Sequence, residues 1–354
     1  MYQIKCNGIN DGLQQVLQAV MSEGKPTTSR GTTYKEIYGM AIEIANPADR
    51  YLFYPGRNNN PIAQCAEVLW VLSGKSNVDW LGRYLPRAKD FSDDGIVWRA
   101  GYGPRLRRYG NQGIDQMQFI EDMLKHDRHS RQAIINIWDA SEEAPAFYNG
   151  GTKDYPCNDL IQFRIDSENK LHMSVYVRSN DAIWGFTGVN FQEWSILHEI
   201  YAQVLDAELG TYHHLVGSMH VYEHHYARAE KMAQETNYGA PEDVVRFPAV
   251  PKGKTVEDIS KFLEGFMLSL DEDLSADNID FQKVTKYIRD QQASWELCQL
   301  WQYMVVTVLA DMISTNGNAI NGAISGYWQN MKVDGSDIAL SVDNYLDRTY
   351  TESA

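Results

Sequence analysis

The chain has 354 residues, of which 44% are apolar and 12% aromatic, enough to enclose a large core and too apolar for general disorder. Its 47 acidic against 32 basic side chains leave a formal charge of -15, which argues against a nonspecific nucleic-acid or anionic-membrane surface but leaves room for a local basic pocket. The opening MYQIKCNGINDGLQQVLQAV lacks a basic segment followed by an apolar run, and no stretch of eighteen apolar residues is uninterrupted, so a soluble, cytoplasmic protein is expected.

INDGLQQVLQAVMSEG has helical apolar spacing up to Gly24, and KPTTSRGTTYKEIYGMAIEI passes from a polar loop carrying Arg30 into a strand. NPIAQCAEVLWVLSGKSN predicts a buried helix with Pro61 near its start, Gly74 near its end and Glu67 as its one acid. A carboxyl amid so much apolar surface needs a partner or a task. GIDQMQFIEDMLKHDRHS predicts a second amphipathic helix, and RQAIINIWD a buried strand starting just after Arg131. LIQFRIDSENKLHMSVYVRSND predicts two strands around the turn DSEN, ending at Arg178, Ser179 and Asp181. QEWSILHEIYAQVLDAELG predicts a long helix closed by Gly210, and YHHLVGSMHVYEHHYARAEKMAQET a strand and a turn entering another helix. Composition shifts near VPKGKTVEDISKF, beyond which VEDISKFLEGFMLSL and FQKVTKYIRDQQASWELCQLWQYMVVTVLADMI read as helices. Long helices with mainly neighbouring strands predict the α+β class, with a main domain over residues 1–249 and a helical region over 250–354 packed on it.

Cys6, Cys65, Cys157 and Cys298 lie far apart with no CxxC pair, which suggests neither a disulfide framework nor a thiolate zinc site. An isolated cysteine is a small buried hydrophobe or, in an electropositive and accessible setting, a nucleophile. In YPCNDLIQF both readings of Cys157 stand. Arg30, Arg131 and Arg178, the last followed by Ser179, suit phosphate oxygens and surface ion pairs alike. His213, His214, His220, His224 and His225 crowd one segment without an HExxH arrangement or a carboxylate at diagnostic spacing, so no metal is expected. No Walker A or GxGxxG turn is present, and GYGPRLRRY is a weak signal.

SRQAIINIWD, YPCNDLIQF, VRSNDAIWGFTGVNFQEWSILHEIYAQVL and GSMHVYEHH together resemble the thymidylate synthase family, including its nucleotide hydroxymethylase branch, over residues 10 to 245. Their order and wide separation carry more weight than any one of them. The resemblance implies an α+β mixed sheet sandwich forming a homodimer, a pyrimidine nucleoside monophosphate as substrate and 5,10-methylenetetrahydrofolate as cofactor. It makes Cys157 the nucleophile at C6 of the pyrimidine, so that C5 becomes an enolate-like carbon able to take up a one-carbon unit. It places Arg30, Arg178 and Ser179 on the phosphate, with Arg131 donated across the dimer and Gln132 where the family usually has a second arginine. Glu67 would order water and protons around the pyrimidine carbonyl, a role that burial favours by raising a carboxyl pKa. Asp181 would meet the pterin ring and handle protons, and His220 with Tyr222 would hold the sugar 3′-hydroxyl. Asn190 matches the asparagine that reads O4 and N3 when one residue is inserted in GFTGVN; an amide offers the donor and acceptor that a uracil edge needs.

The chain departs from the family pattern at several places. Asn158 stands where a histidine usually follows the nucleophile, Ser218 where an aspartate is usual, and Ala88 near the place of a tryptophan. The family's terminal Y-x-P-H-P segment has no clear match. The leading expectation is one-carbon transfer to C5 of a uracil nucleotide, dUMP to dTMP. A more open site admits water to the exocyclic methylene, making a dUMP or (d)CMP hydroxymethylase the alternative and a nucleotide-binding homodimer without turnover the third reading.

Overall fold

The structure, a computed structural model, describes residues 1–54, 56–235 and 253–273. The expected domain boundary at 249/250, Cys298 and the helices expected from residue 281 onward lie outside the described residues. The chain opens with β1 (Tyr2–Cys6), α1 (Ile9–Glu23), β2 (Lys25–Ser29) and β3 (Thr32–Ile44). Helices α2 (Pro61–Leu72), α3 (Val78–Gly82), α4 (Tyr102–Arg107) and α5 (Gln116–His126) precede β4 (Ile134–Asn136) and α6 (Ala140–Tyr148). Then come β5 (Asn158–Ile165), β6 (Lys170–Asp181), a π-helical stretch (Ala182–Asn190), α7 (Phe191–Val204), β7 (Glu208–Tyr222), α8 (Tyr226–Gln234) and α9 (Val256–Asp273).

The strands form one mixed sheet in the order β1-β3-β7-β6-β5-β4, with β2 also paired to β3. The β1–β3 and β6–β7 pairs are parallel and the others antiparallel. Alternation along β6 decides which face is covered: Leu171, Met173, Val175 and Val177 are buried, while His172, Ser174 and Tyr176 on the other face are half-buried. Helices α1 and α7 cover the apolar face. Ile9, Leu13, Val16, Leu17 and Val20 of α1 fall on one helical stripe and are fully buried.

Helix α2 starts with Pro61, whose missing N–H has no helical role there, and Asn60 caps it by accepting from the Ala63 N–H at 3.0 Å. It is buried on every side, because α4, α7 and α9 all pack on it. This is the α+β architecture that the pattern predicts, with helices flanking a mixed sheet and α9 as an added helix. Among the described residues, no helix is long and apolar enough to cross a membrane.

Two local features differ from expectation. Helix α7 stops at Val204, and Gly210 lies inside β7 rather than at a helix end. Its role is close approach: a Cβ there would meet the Leu171 carbonyl oxygen of β6 at 2.5 Å. The stretch Ala182–Asn190 is π-helical, with the Phe191 N–H bonding back five residues to the Phe186 carbonyl. A π-turn takes in one extra residue, and the insertion expected in GFTGVN falls within it.

Candidate active site

Strand register brings most of the residues singled out from the sequence into one corner. Cys157 immediately precedes β5, and its carbonyl accepts from the Arg178 N–H at 3.0 Å. The β5–β6 pairing slips between Asn158 and Leu160, a bulge that re-aims the backbone beside the thiol. The Arg178 guanidinium donates to the carbonyls of Pro156 at 2.8 Å and Tyr155 at 3.2 Å, and its Nη2 lies 3.8 Å from Cys157 Sγ. Ser179, half-buried next to it, pairs with Ser218 of β7.

Two rows along, Asp181 pairs with His220, and Tyr34 of β3 pairs with Tyr222. The His220 and Tyr222 rings are 4.9 Å apart, with Tyr34 at 5.2 Å from His220. Arg30 occupies the tight turn between β2 and β3, where it and Gly31 have φ of 50° and 75°; a two-residue hairpin of this kind needs that left-handed pair. Its charge acts on both Cys157 and Tyr222. Asp181 Oδ1 accepts from the N–H groups of Ile183 and Trp184, capping the π-helical stretch. Its Oδ2 is buried without a hydrogen-bond partner.

Burial pushes the Cys157 thiol above its ordinary pKa, and the Arg178 charge, with a smaller effect from Arg30, pulls it back. Cys6 and Cys65 are buried and pushed up to about 12, chiefly by burial. Both are inert small hydrophobes in the core. Cys157 is half-buried and has a guanidinium on its sulfur, the setting in which a thiol can become a nucleophile.

The floor of the corner is made of buried polar groups. Glu67 on α2 and Glu193 at the start of α7 are both buried. Burial pushes Glu193 up to about 8, moderated by a hydrogen bond from Asn190, and raises Glu67, which also feels the Glu193 charge. Asn190 receives an N–H from Asn180 Nδ2 at 3.2 Å and donates to Glu193 Oε2 at 3.4 Å. Asn180 Oδ1 is 2.9 Å from His214 Nε2, and the other His214 nitrogen is 3.1 Å from the Tyr212 hydroxyl. Asn158, at the departure from the family pattern, is fully buried. Its amide donates to the Tyr102 hydroxyl at 2.7 Å and accepts from Trp194 Nε1 at 3.1 Å.

The chain does not bring Arg131 to this corner. It is exposed, and its carbonyl accepts from the Gln162 side chain, five residues along β5 from Cys157, or ~17 Å at strand rise. The Ser218 hydroxyl donates to Glu36. Ala88 is buried, and its carbonyl accepts from Trp98 Nε1 at 2.8 Å. Strand alternation sends His214 into the core and His213 to the other face; among the described residues, no three metal-ligating side chains cluster. Tyr102, Asn180 and Glu193 went unnoticed in the sequence, and His214 stood out only as one of a crowd of histidines. Glu193 carried the signal that drew attention to Glu67, an acid in an apolar helix. Tyr102 and Asn180 had no local signal.

Comparison with known proteins adds to this geometry. A family profile described as thymidylate synthase matches residues 12–264. A deoxyuridylate hydroxymethyltransferase of Bacillus phage SP01 is 39% identical over 217 residues, covering 58% of this chain and 55% of that protein. Another from Pseudomonas phage M6 is 34% identical over 221 residues, covering 62% and 61%. A thymidylate synthase of Corynebacterium aurimucosum is 28% identical over 229 residues, covering 62% of this chain and 80% of that protein. The match thus spans 55–61% of the length of the two phage relatives.

Proposed function

The chain belongs to the thymidylate synthase family, and from that premise we propose that it hydroxymethylates C5 of deoxyuridylate. The observation that carries the reading is Cys157 with Arg178 Nη2 at 3.8 Å from its sulfur, in the same corner as His220, Tyr222 and Asp181. The Cys157 sulfur, giving up its proton, bonds to C6 of the pyrimidine, and the displaced electron pair moves onto C5 and O4. Glu67, whose carboxyl pKa is raised by burial and then by the Glu193 charge, supplies and recovers a proton at that carbonyl through water. Arg30, Arg178 and Ser179 hold the phosphate, helped by Arg131 from a second subunit of a homodimer. His220 and Tyr222 take the sugar 3′-hydroxyl, and Asn190 reads O4 and N3 of the base.

The buried, unpartnered Asp181 Oδ2 fits the N–H donors of a reduced pterin, since an acceptor left bare in this way costs stability until a donor arrives. When bound there, 5,10-methylenetetrahydrofolate supplies the one-carbon unit that C5 takes up. The product is decided afterwards. C5 loses its proton to water and the bond between the transferred carbon and its carrier nitrogen breaks, the nitrogen keeping the electron pair, which leaves an exocyclic methylene on C5. Water oxygen then bonds to that carbon and loses a proton, and the C5–C6 double bond re-forms as Cys157 sulfur leaves as thiolate.

Hydroxymethylation replaces the methylation that the sequence alone favours for two reasons. The more similar phage relatives carry the hydroxymethyltransferase name, and small Ala88 stands near the expected tryptophan. Incubation with C5-tritiated deoxyuridylate and methylenetetrahydrofolate tests this. Tritium release with a hydroxymethyl product mass is expected; a methyl product would replace the product assignment, and absence of release from folded protein would leave only nucleotide binding.

A further inference from the structure

Among the described residues, Tyr212, His214, Asn180, Asn190 and Glu193 form a continuous buried series of hydrogen bonds from β7 through β6 to α7. Each member is at most 9% exposed. We propose that this series fixes the orientation of the Asn190 amide and thereby makes the site select uracil over cytosine; the inference rests on the reading of Asn190 as the group that meets the base edge.

The directions of the bonds carry the argument. Burial drives the His214 pKa down to about 3, so its ring is neutral, with one nitrogen donating and one accepting. The Tyr212 hydroxyl donates to Nδ1, and Nε2–H donates to Asn180 Oδ1. The Asn180 amide N–H is then left to donate to Asn190 Oδ1, and the Asn190 N–H to Glu193 Oε2. All four bonds point the same way. Asn190 keeps one lone pair on Oδ1 and one N–H on Nδ2, which match the N3–H and O4 of uracil. Cytosine presents a bare N3 and an amino group, and would need the amide turned over.

Turning Asn190 alone would set its N–H against that of Asn180. Reversing the whole series requires four groups to turn together and Glu193 to be a proton donor, whereas the observed direction is open to Glu193 as either acid or carboxylate. The packing also limits movement. Asn180 lies against Gly185, where a Cβ would meet Asn180 Nδ2 at 2.3 Å, so the carboxamide fills space that only glycine leaves open.

The test is equilibrium binding of deoxyuridylate and deoxycytidylate to the full chain without cofactor, together with kcat/KM for both. Wild type is expected to prefer deoxyuridylate by about 100-fold or more, because a misoriented amide leaves buried polar groups unpaired. Asn180→Asp offers only acceptors, turns the Asn190 amide over, and is expected to lower the uracil-to-cytosine ratio by ~100-fold. Glu193→Gln can donate or accept and should lower the ratio by about tenfold; Tyr212→Phe, at the far end, should lower it by about twofold.

If Asn180→Asp does not fold, the isosteric Glu193→Gln decides alone. Equal losses for both nucleotides, with the ratio unchanged, would show a merely structural role and overturn the inference. So would a wild-type preference for cytosine, which leaves the one-carbon chemistry standing. A wild type that binds neither nucleotide overturns both readings, and a methyl rather than hydroxymethyl product touches neither the binding ratio nor this inference.

Discussion

At the rim of the site, Cys157, Arg178 and Arg30 occupy a strand end, a strand and a hairpin turn, and their charges and sulfur meet at the surface. At the floor, Glu67, Glu193, Asn190 and His214 sit on packed helices and an inner strand, with almost no access to water. The rim can attract and hold an anion because water and counter-charges exchange freely there. The floor makes each polar group depend on its neighbour, since an unpaired buried donor or acceptor is costly. On the proposed function, covalent attack and phosphate binding therefore fall to the rim, and proton handling at the base carbonyl and discrimination of the base fall to the floor.

The largest effect that would break this division is at the sulfur. Cys157→Ala is expected to reduce tritium release by ~10⁴-fold or more while leaving the melting temperature nearly unchanged. Wild-type release by the variant would remove Cys157 from the chemistry. Next is Arg178→Ala, which should weaken binding of deoxyuridylate by ~10- to 100-fold and leave the affinity for the phosphate-free nucleoside alone. Equal weakening of both would place Arg178 in structural support rather than on the phosphate.

The floor should respond to pH instead. An unfolded glutamate titrates near 4.5, and Glu193 holds its proton up to about 8. Between those values the native state binds more protons than the unfolded chain, so this group's contribution to stability falls as pH rises, by up to about 1.4 kcal/mol per pH unit. Glu193→Gln removes that slope. Melting temperatures from pH 5 to 8 should show the variant gaining steadily on wild type; a constant difference would contradict a buried, proton-holding Glu193. The smallest effect is expected from Tyr102→Phe, which strips a partner from the buried Asn158 amide and should cost about 1–3 kcal/mol in denaturant unfolding. No loss would mean that the amide finds another acceptor.

Much of the rim was legible in the sequence. Cys157, Arg178, Ser179, Asp181, His220 and Tyr222 lie in segments with strong strand or turn patterns, and β6–β7 pairing sets Asp181 beside His220. Arg131 was also legible as a candidate, and the single chain leaves it at the far end of β4. The floor was half legible: Glu67 stood out as an acid in an apolar helix and His214 only as one of a crowd of histidines, whereas Asn180 and Tyr102 resembled ordinary core or loop residues. The extra residue in GFTGVN was visible, but its absorption in a π-helical stretch before Asn190 was not, because such a turn depends on packing from both sides.

Periodicity, turn residues and composition by themselves determined most of the helices and strands and the α+β class, since these follow from local spacing, whereas Cys157 stood out as a nucleophile only through the resemblance of its segment to the family. Only the tertiary structure decided that Cys157 differs from the inert Cys6 and Cys65, that two carboxyls share one buried floor, and that five polar groups line up in one direction. Burial and hydrogen-bond direction belong to no residue alone. They arise when segments far apart in the chain, such as Asn158 with Tyr102 and Trp194, are packed where water cannot substitute for a missing partner.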